Sequence, residues 1–315
     1  MTRIAYLGPA GTFTEQAAQQ WDPLSAASAW PAPSVPAAIA ALREGRVEAA
    51  VVPFENSVEG SVPATQQALL DGADDGVRIT AEVHVEVQFS LLVRPGTGLE
   101  HVRTLATHPH AAAQTRDWVA GHLPGAQLVP ESSTARAAQA VAEGLYDAAV
   151  AAPGAADSYG LVPAAEHIAD RDGAVTRFVV LRTGVPVPEP TGSDCTTLVA
   201  LIWANRPGAL LELLEQFAAR GVDLSRLESR PTGEGLGEYC FWIDANAHVA
   251  EPRLREALLG LRRTCRDVRF LGSYPRADGR PIQVPEHAGD EAYAAAQAWV
   301  DALSRPAAAT AASHR

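Results

Sequence analysis

The chain has 315 residues and a mass of 33.1 kDa, and at about 150 residues per domain it predicts two compact units rather than one. Thirty-seven acidic residues against 25 basic ones leave a net charge of −12, which repels a phosphate backbone and argues against nucleic acid as a partner. All 25 basic residues are Arg, so a Walker lysine, a Schiff base and pyridoxal anchoring are excluded, and any anion must be held by Arg, hydroxyls or backbone N–H groups.

The apolar run Ile4 to Leu7 is too short for a signal peptide before Gly8-Pro9 ends it, and no run of about 18 apolar residues follows, so a soluble cytoplasmic protein without a membrane partner is expected. Short apolar runs then alternate with helix-length segments: a helix over Glu15 to Trp21, another over Ala37 to Glu44 and a strand over Val47 to Val52. This is the pattern of α/β architecture. Residues 42–51 align with 141–150 at a spacing of 99, keeping Glu-Gly and acid-Ala-Ala-Val in register, and Ser34 falls on Ser133. Each copy reads as Ser N-cap, apolar-striped helix, Gly C-cap, acid and buried strand, which predicts one αβ unit made twice and a cleft between two lobes. Cys195, Cys240 and Cys265 are too far apart for a disulfide framework or a zinc site and fit a reducing compartment.

Three segments beside apolar runs carry groups that chemistry uses. In Gly8 to Gln16, glycines permit a tight backbone and a Thr opens a helix, which suits either an anion cradle using Thr12 and Thr14 or a plain cap made by Thr14. In Pro53 to Val62, Glu55, Asn56 and Ser57 cluster where a strand ends; an ordinary polar turn reads the same way. In Asp170 to Leu181, Arg177 enters an apolar strand, so it is either a substrate clamp or half of an ion pair. His108-Pro109-His110 has no third ligand nearby and reads as a core or surface pair rather than a metal site.

Together, Gly8-Pro9-Ala10-Gly11-Thr12-Phe13, Pro53-Phe54-Glu55-Asn56-Ser57 and Thr176-Arg177-Phe178 resemble the markers of the prephenate dehydratase family, in the same order. His108-Pro109 with Ala111, Ser133-Thr134-Ala135 and Tyr159-Gly160-Leu161 are secondary matches, and the resemblance runs from about Ile4 to about Tyr274. The family usually has Asn where this chain has Ala174, Gln where it has His110 and an aliphatic residue at Phe54.

The resemblance implies a two-lobed, periplasmic-binding-protein-like catalytic domain over residues 1–183 that removes carbon dioxide and water from prephenate to give phenylpyruvate, with no metal or organic cofactor. It implies Thr176 as the key hydroxyl, with Asn56 and Ser57 positioning the ring side and Glu55 as a candidate acid. Gly11, Thr12, Phe13, Arg177 and Phe178 are implied as substrate-binding residues. An arogenate dehydratase, whose substrate carries an amino group in place of the keto group, and a noncatalytic amino-acid-sensing protein are the alternatives. A decarboxylase that keeps the hydroxyl fits poorly with an intact Thr176.

Gly184, Pro186, Pro188, Pro190 and Gly192 predict a linker over residues 184–194. Beyond it come strand Thr196 to Trp203, helix Pro207 to Arg220, strand Leu224 to Ser229, a hairpin, strand Tyr239 to Asp244, helix Glu251 to Arg263 and strand Val268 to Leu271. This is the βαββαβ, ferredoxin-like order, over residues 195–275. Asn205 to Leu210, with Gly208 and Ala209, and Glu228-Ser229-Arg230-Pro231 resemble the signature segments of the ACT regulatory domain attached to these dehydratases. That resemblance implies phenylalanine as an effector held between paired domains, and hence a homodimer or homotetramer. Residues 276–315 carry one expected helix, Glu291 to Leu303, before a tail from Arg305 onward that is expected to be disordered.

Overall fold

A computed structural model of the chain describes residues 3–26, 28–72, 76–232 and 238–303, and the chain divides into two units at Pro186 and Val187. The expected tail from Arg305 and the tip of the expected hairpin, residues 233–237, lie outside the described residues.

In the first unit, β1 (Ile4–Leu7) leads to α1 (Phe13–Trp21), α2 (Pro23–Ala26), β2 (Trp30–Ala32), α3 (Val35–Arg43), β3 (Ala49–Asn56), β4 (Gly60–Ser61), α4 (Pro63–Leu70) and β5 (Arg78–Glu86). A second sheet follows from β6 (Ser90–Val93), β7 (Thr104–Thr107), α5 (Pro109–Gln114), α6 (Arg116–His122), β8 (Gln127–Pro130), α7 (Thr134–Ala142), β9 (Ala148–Ala151), α8 (Ala155–Tyr159) and β10 (Val162–Ala165). Strand β11 (Val175–Arg182) then returns to the first sheet. The strand orders are β2-β1-β3-β11-β5, with β4 beside β3, and β10-β6-β9-β7-β8. Strands β1, β2 and β3 run parallel, as do β7, β8 and β9, and an antiparallel neighbour flanks each set. The result is the α/β, two-lobed, periplasmic-binding-protein-like arrangement expected from the sequence.

The repeat is physical. The unit β1-α1-β2-α3-β3 recurs as β7-α5-β8-α7-β9, and the caps agree: the Ser34 and Ser133 hydroxyl oxygens accept the N–H groups of Ala37 (3.2 Å) and Arg136 (3.0 Å). Gly45 and Gly144 close the two helices at φ of 68° and 82°, where a Cβ would be strained. The acids of the repeat share one task, since Glu48 accepts the Arg3 N–H at 3.3 Å while Asp147 accepts those of Arg103 and Thr104 at 2.9 and 2.8 Å. Those bonds, the Arg103 N–H foremost, hold the Asp147 carboxyl below its usual range. A depressed value means that this contribution is complete at neutral pH and lost in acid, as pH falls through the lowered value. Asp147→Ala should therefore cost about 1–2 kcal/mol at pH 7 and progressively less in acid, as measured by urea denaturation; a pH-independent difference would remove the carboxylate from the account.

Two boundaries differ from expectation in ways that matter for the site. Strand β3 does not stop at Val52 but pairs with β11 through Glu55 and Asn56, so much of the polar cluster is strand rather than turn. Helix α1 is capped by Thr12, not Thr14. Thr12 accepts the Glu15 N–H at 3.3 Å, and Glu15 reaches back to the Gly11 N–H at 2.6 Å, the reciprocal arrangement of a capping box shifted by one residue.

The second unit comprises β12 (Asp194–Leu201), α9 (Ala209–Ala218), β13 (Leu224–Pro231), β14 (Tyr239–Ala245), α10 (Pro252–Thr264), β15 (Asp267–Pro275) and α11 (Asp290–Leu303). Its antiparallel sheet has the order β13-β14-β12-β15, the ferredoxin-like topology, with Leu213, Phe217, Leu254 and Leu261 of the helices packed on Leu198 and Ile243. Helix α9 starts two residues later than expected because Gly208, at φ 86°, ends the preceding loop.

Candidate functional site

A cleft of about 260 Å³ in the first unit is lined by Thr12, Phe13 and Thr14, by Pro53, Asn56 and Glu59, by Thr176 and Phe178, and from the other lobe by His108, His110, Gln114 and Ser132 to Thr134. Val87 and Phe89, on the crossing between the lobes, complete an apolar wall, and Phe13 meets Phe89 edge to face at 5.8 Å.

Thr176 lies at the cleft end of β11 and is 9% exposed. Its Oγ1 accepts a hydrogen bond from Asn56 Nδ2 at 2.8 Å, while Asn56 Oδ1 accepts the N–H groups of Val58 and Glu59 at 2.8 and 3.2 Å. Those two backbone donors fix which way the amide faces. The amide in turn occupies a lone pair of the threonine oxygen and leaves its O–H available as a donor.

Thr176, Arg177 and Phe178 occupy consecutive strand positions, so their side chains alternate between faces. Thr176 and Phe178 line the cleft, whereas Arg177 turns away and binds Glu82 Oε2 through Nε at 2.6 Å, with Glu55 at 3.5 Å and the Phe54 ring at 5.2 Å. Of the two roles open to Arg177, the ion pair is the one found. Glu55 is corrected with it: the register of β3 against β11 shifts between Arg177 and Phe178, so Phe54 and Glu55 both lie on the Arg177 side and Asn56 alone of the cluster reaches the cleft. Ser57 is also not a cleft residue. Its hydroxyl accepts the Val175 N–H at 2.9 Å and its own N–H meets the Val175 carbonyl at 2.9 Å, which staples β11 in place.

The expected anion cradle is likewise turned inward. Gly11 donates its N–H to Glu15, and a Cβ there would sit 2.9 Å from the Ala155 Cα, at a φ of 78°. Gly11 is thus needed for the close approach of the other lobe, which Tyr159 reinforces by donating to the Ala10 carbonyl at 2.8 Å. Thr12 spends its hydroxyl on the Leu7 carbonyl and the α1 cap.

Among the described residues no Arg lines the cleft, so the donors there are neutral groups and histidines. The His108 Nδ1 accepts the His110 N–H at 3.3 Å, which leaves Nε2 to carry the proton; burial first, then the neighbouring His110, pushes its pKa below the usual value and favours the neutral ring. Across the mouth, Glu59 of the first lobe binds His110 Nδ1 and accepts from Gln114 Nε2 at 3.1 Å. Sequence reasoning gave Glu59, Gln114, Phe89 and Ser132 no part. The i, i+4 spacing of His110 and Gln114 on α5 was a legible sign that both present one face, but their partner lies 55 residues upstream of Gln114. Among the described residues no three His, Cys, Asp or Glu side chains group as metal ligands.

In the second unit, Asn205, Gly208 and Leu210 are exposed at the start of α9, and Ala209 lines a cavity of about 50 Å³ with Trp203, Arg206 and Glu212. Glu228, Ser229, Arg230 and Pro231 lie on the edge strand β13 and do not line that cavity; Glu228 is held by Arg226 at 2.6 Å.

A family model for prephenate dehydratase matches residues 4–185. A prephenate dehydratase of Amycolatopsis methanolica is 49% identical over 97% of this chain and 99% of its own length. A crystal structure of prephenate dehydratase in complex with L-Phe from Arthrobacter aurescens superposes with a TM-score of 0.89 at 46% identity, covering 96% of this chain and 99% of that one. A structure described as GqqA, a novel type of quorum quenching acylase, superposes at 0.78 with 33% identity, covering 87% of this chain and 97% of that one.

Proposed function

Because the chain belongs to the prephenate dehydratase family, we propose that it converts prephenate to phenylpyruvate, carbon dioxide and water. The ring carboxylate leaves as carbon dioxide, its bonding pair passes into the ring, and the C–O bond at the opposite ring carbon breaks as the ring becomes aromatic. The departing hydroxide needs a proton or a strong hydrogen bond at that moment, and Thr176 supplies the bond. The observation that carries this role is the Asn56 amide donating to Thr176 Oγ1, which takes up one lone pair and leaves the O–H to donate. An alcohol is too weak an acid to give its proton up fully, so the proton that completes water comes from solvent.

The two substrate carboxylates are held by His108, His110, Gln114 and the hydroxyls of Ser132 to Thr134. The N-terminus of α7, at the cleft and without an acid in its first turn, favours negative charge. Phe13, Phe89 and Phe178 pack the ring and hold it against the hydroxyl. An acylase reading would need a nucleophile activated by a base, and the hydroxyl here is bonded by an amide instead. The enzyme is a carbon–oxygen lyase acting in the cytoplasm.

Phenylalanine regulates it through the second unit, an ACT domain, with Gly208 to Leu210 of one copy facing Glu228 to Pro231 of another in a homodimer or homotetramer. The L-Phe complex of the Arthrobacter relative and the exposed edge strand β13 support this. Purified protein given prephenate should release phenylpyruvate, identified by mass, and added phenylalanine should lower the rate while calorimetry records binding. No product would overturn the catalytic reading; turnover without heat or inhibition would overturn only the regulatory one.

A further inference from the structure

We infer that the pair made by Glu59 and His110 selects a substrate whose side chain ends in a keto acid over the counterpart carrying an ammonium group at that carbon. The inference rests on the dehydratase reading above and concerns which member of that substrate class the cleft accepts.

An ammonium group taken from water needs a charged acceptor. Glu59 is the single carboxylate among the described residues that line the cleft, and both of its oxygens are engaged, one by His110 Nδ1 and the other by Gln114 Nε2 at 3.1 Å. Its backbone is anchored as well, the Glu59 N–H being bonded to Asn56 Oδ1 at 3.2 Å, on the residue that orients Thr176. What the cleft then offers a ligand is led by donors: His108 Nε2–H and the O–H groups of Thr176 and of Ser132 to Thr134. A keto oxygen and a carboxylate accept from such groups; an ammonium adds a donor whose one carboxylate partner already has both oxygens engaged. Both partners sit at the rim, His110 being 65% exposed and Glu59 31%, so water screens the pair and the discrimination is moderate.

The test is kcat/KM for prephenate and for its amino counterpart, arogenate, measured on the same preparations of the full-length parent, His110→Ala and His110→Ala/Glu59→Gln. The ratio of the two values cancels any inactive fraction, so partial misfolding of a variant does not blur it. The parent should favour the keto substrate. His110→Ala, which frees one oxygen of Glu59, should raise the amino-to-keto ratio about tenfold or more, and adding Glu59→Gln should return it toward the parent. A parent preference for the amino substrate, an unchanged ratio in His110→Ala, or a rise that survives the loss of Glu59 would overturn the inference while leaving the dehydratase reading intact. A parent that turns over neither substrate would instead overturn that reading.

Discussion

Thr176→Val is expected to lower kcat about 10²–10³-fold while moving KM less than about tenfold, the pattern of losing a donor used mainly as charge develops on a leaving oxygen. Valine keeps the shape of threonine in a position that is 9% exposed between β3 and β5, so the sheet should survive. Thr176→Ser should retain most of the rate, because the hydroxyl can still accept from Asn56. Steady-state kinetics with prephenate decide the matter, and a valine variant within a few-fold of the parent kcat would assign the leaving-group contact elsewhere.

The second large effect concerns stability. Arg177→Met should cost about 3–5 kcal/mol and lower Tm by roughly 10 °C, because Glu82, only 5% exposed, loses its guanidinium partner and keeps the more distant His84 Nε2 at 3.6 Å. The double variant Arg177→Met/Glu82→Gln should recover much of that loss. At a temperature where the single variant remains folded, its KM should stay near the parent value, since Arg177 lies on the face of β11 opposite the cleft. A KM raised by tenfold or more with Tm unchanged would restore Arg177 as a substrate clamp.

These neighbouring residues also mark what the sequence made legible. The αβ repeat was readable because Ser34 and Ser133, Gly45 and Gly144, and Glu48 and Asp147 each do a local job that fixes residue type at a fixed spacing. The ferredoxin-like order was readable for the same reason, from apolar period and turn chemistry. Arg177 was legible in principle: three consecutive strand residues cannot all face one cleft. Glu55 was not, because only the continuation of β3 through Asn56, paired with a strand more than a hundred residues away, makes it a strand residue that faces Arg177 while Asn56 faces Thr176. The clasp between Glu59 and His110 was hidden too, since neither residue carries a mark of its partner in the other lobe.

The route of the chain bears on how the protein is made. Strand β11 lies between β3 and β5 and pairs with both, yet it follows the whole of the second lobe in sequence. During synthesis the second lobe, a continuous stretch from β6 to β10, is complete while the first still has two open strand edges. The first lobe closes only when residues 175–182 arrive, at the entropic expense of a long loop and with an exposed, aggregation-prone gap until then. Since Thr176 arrives on that strand, a chain that ends before it carries the rest of the cleft lining but Phe178 and lacks the hydroxyl, which enters its place in the same event that seals the sheet.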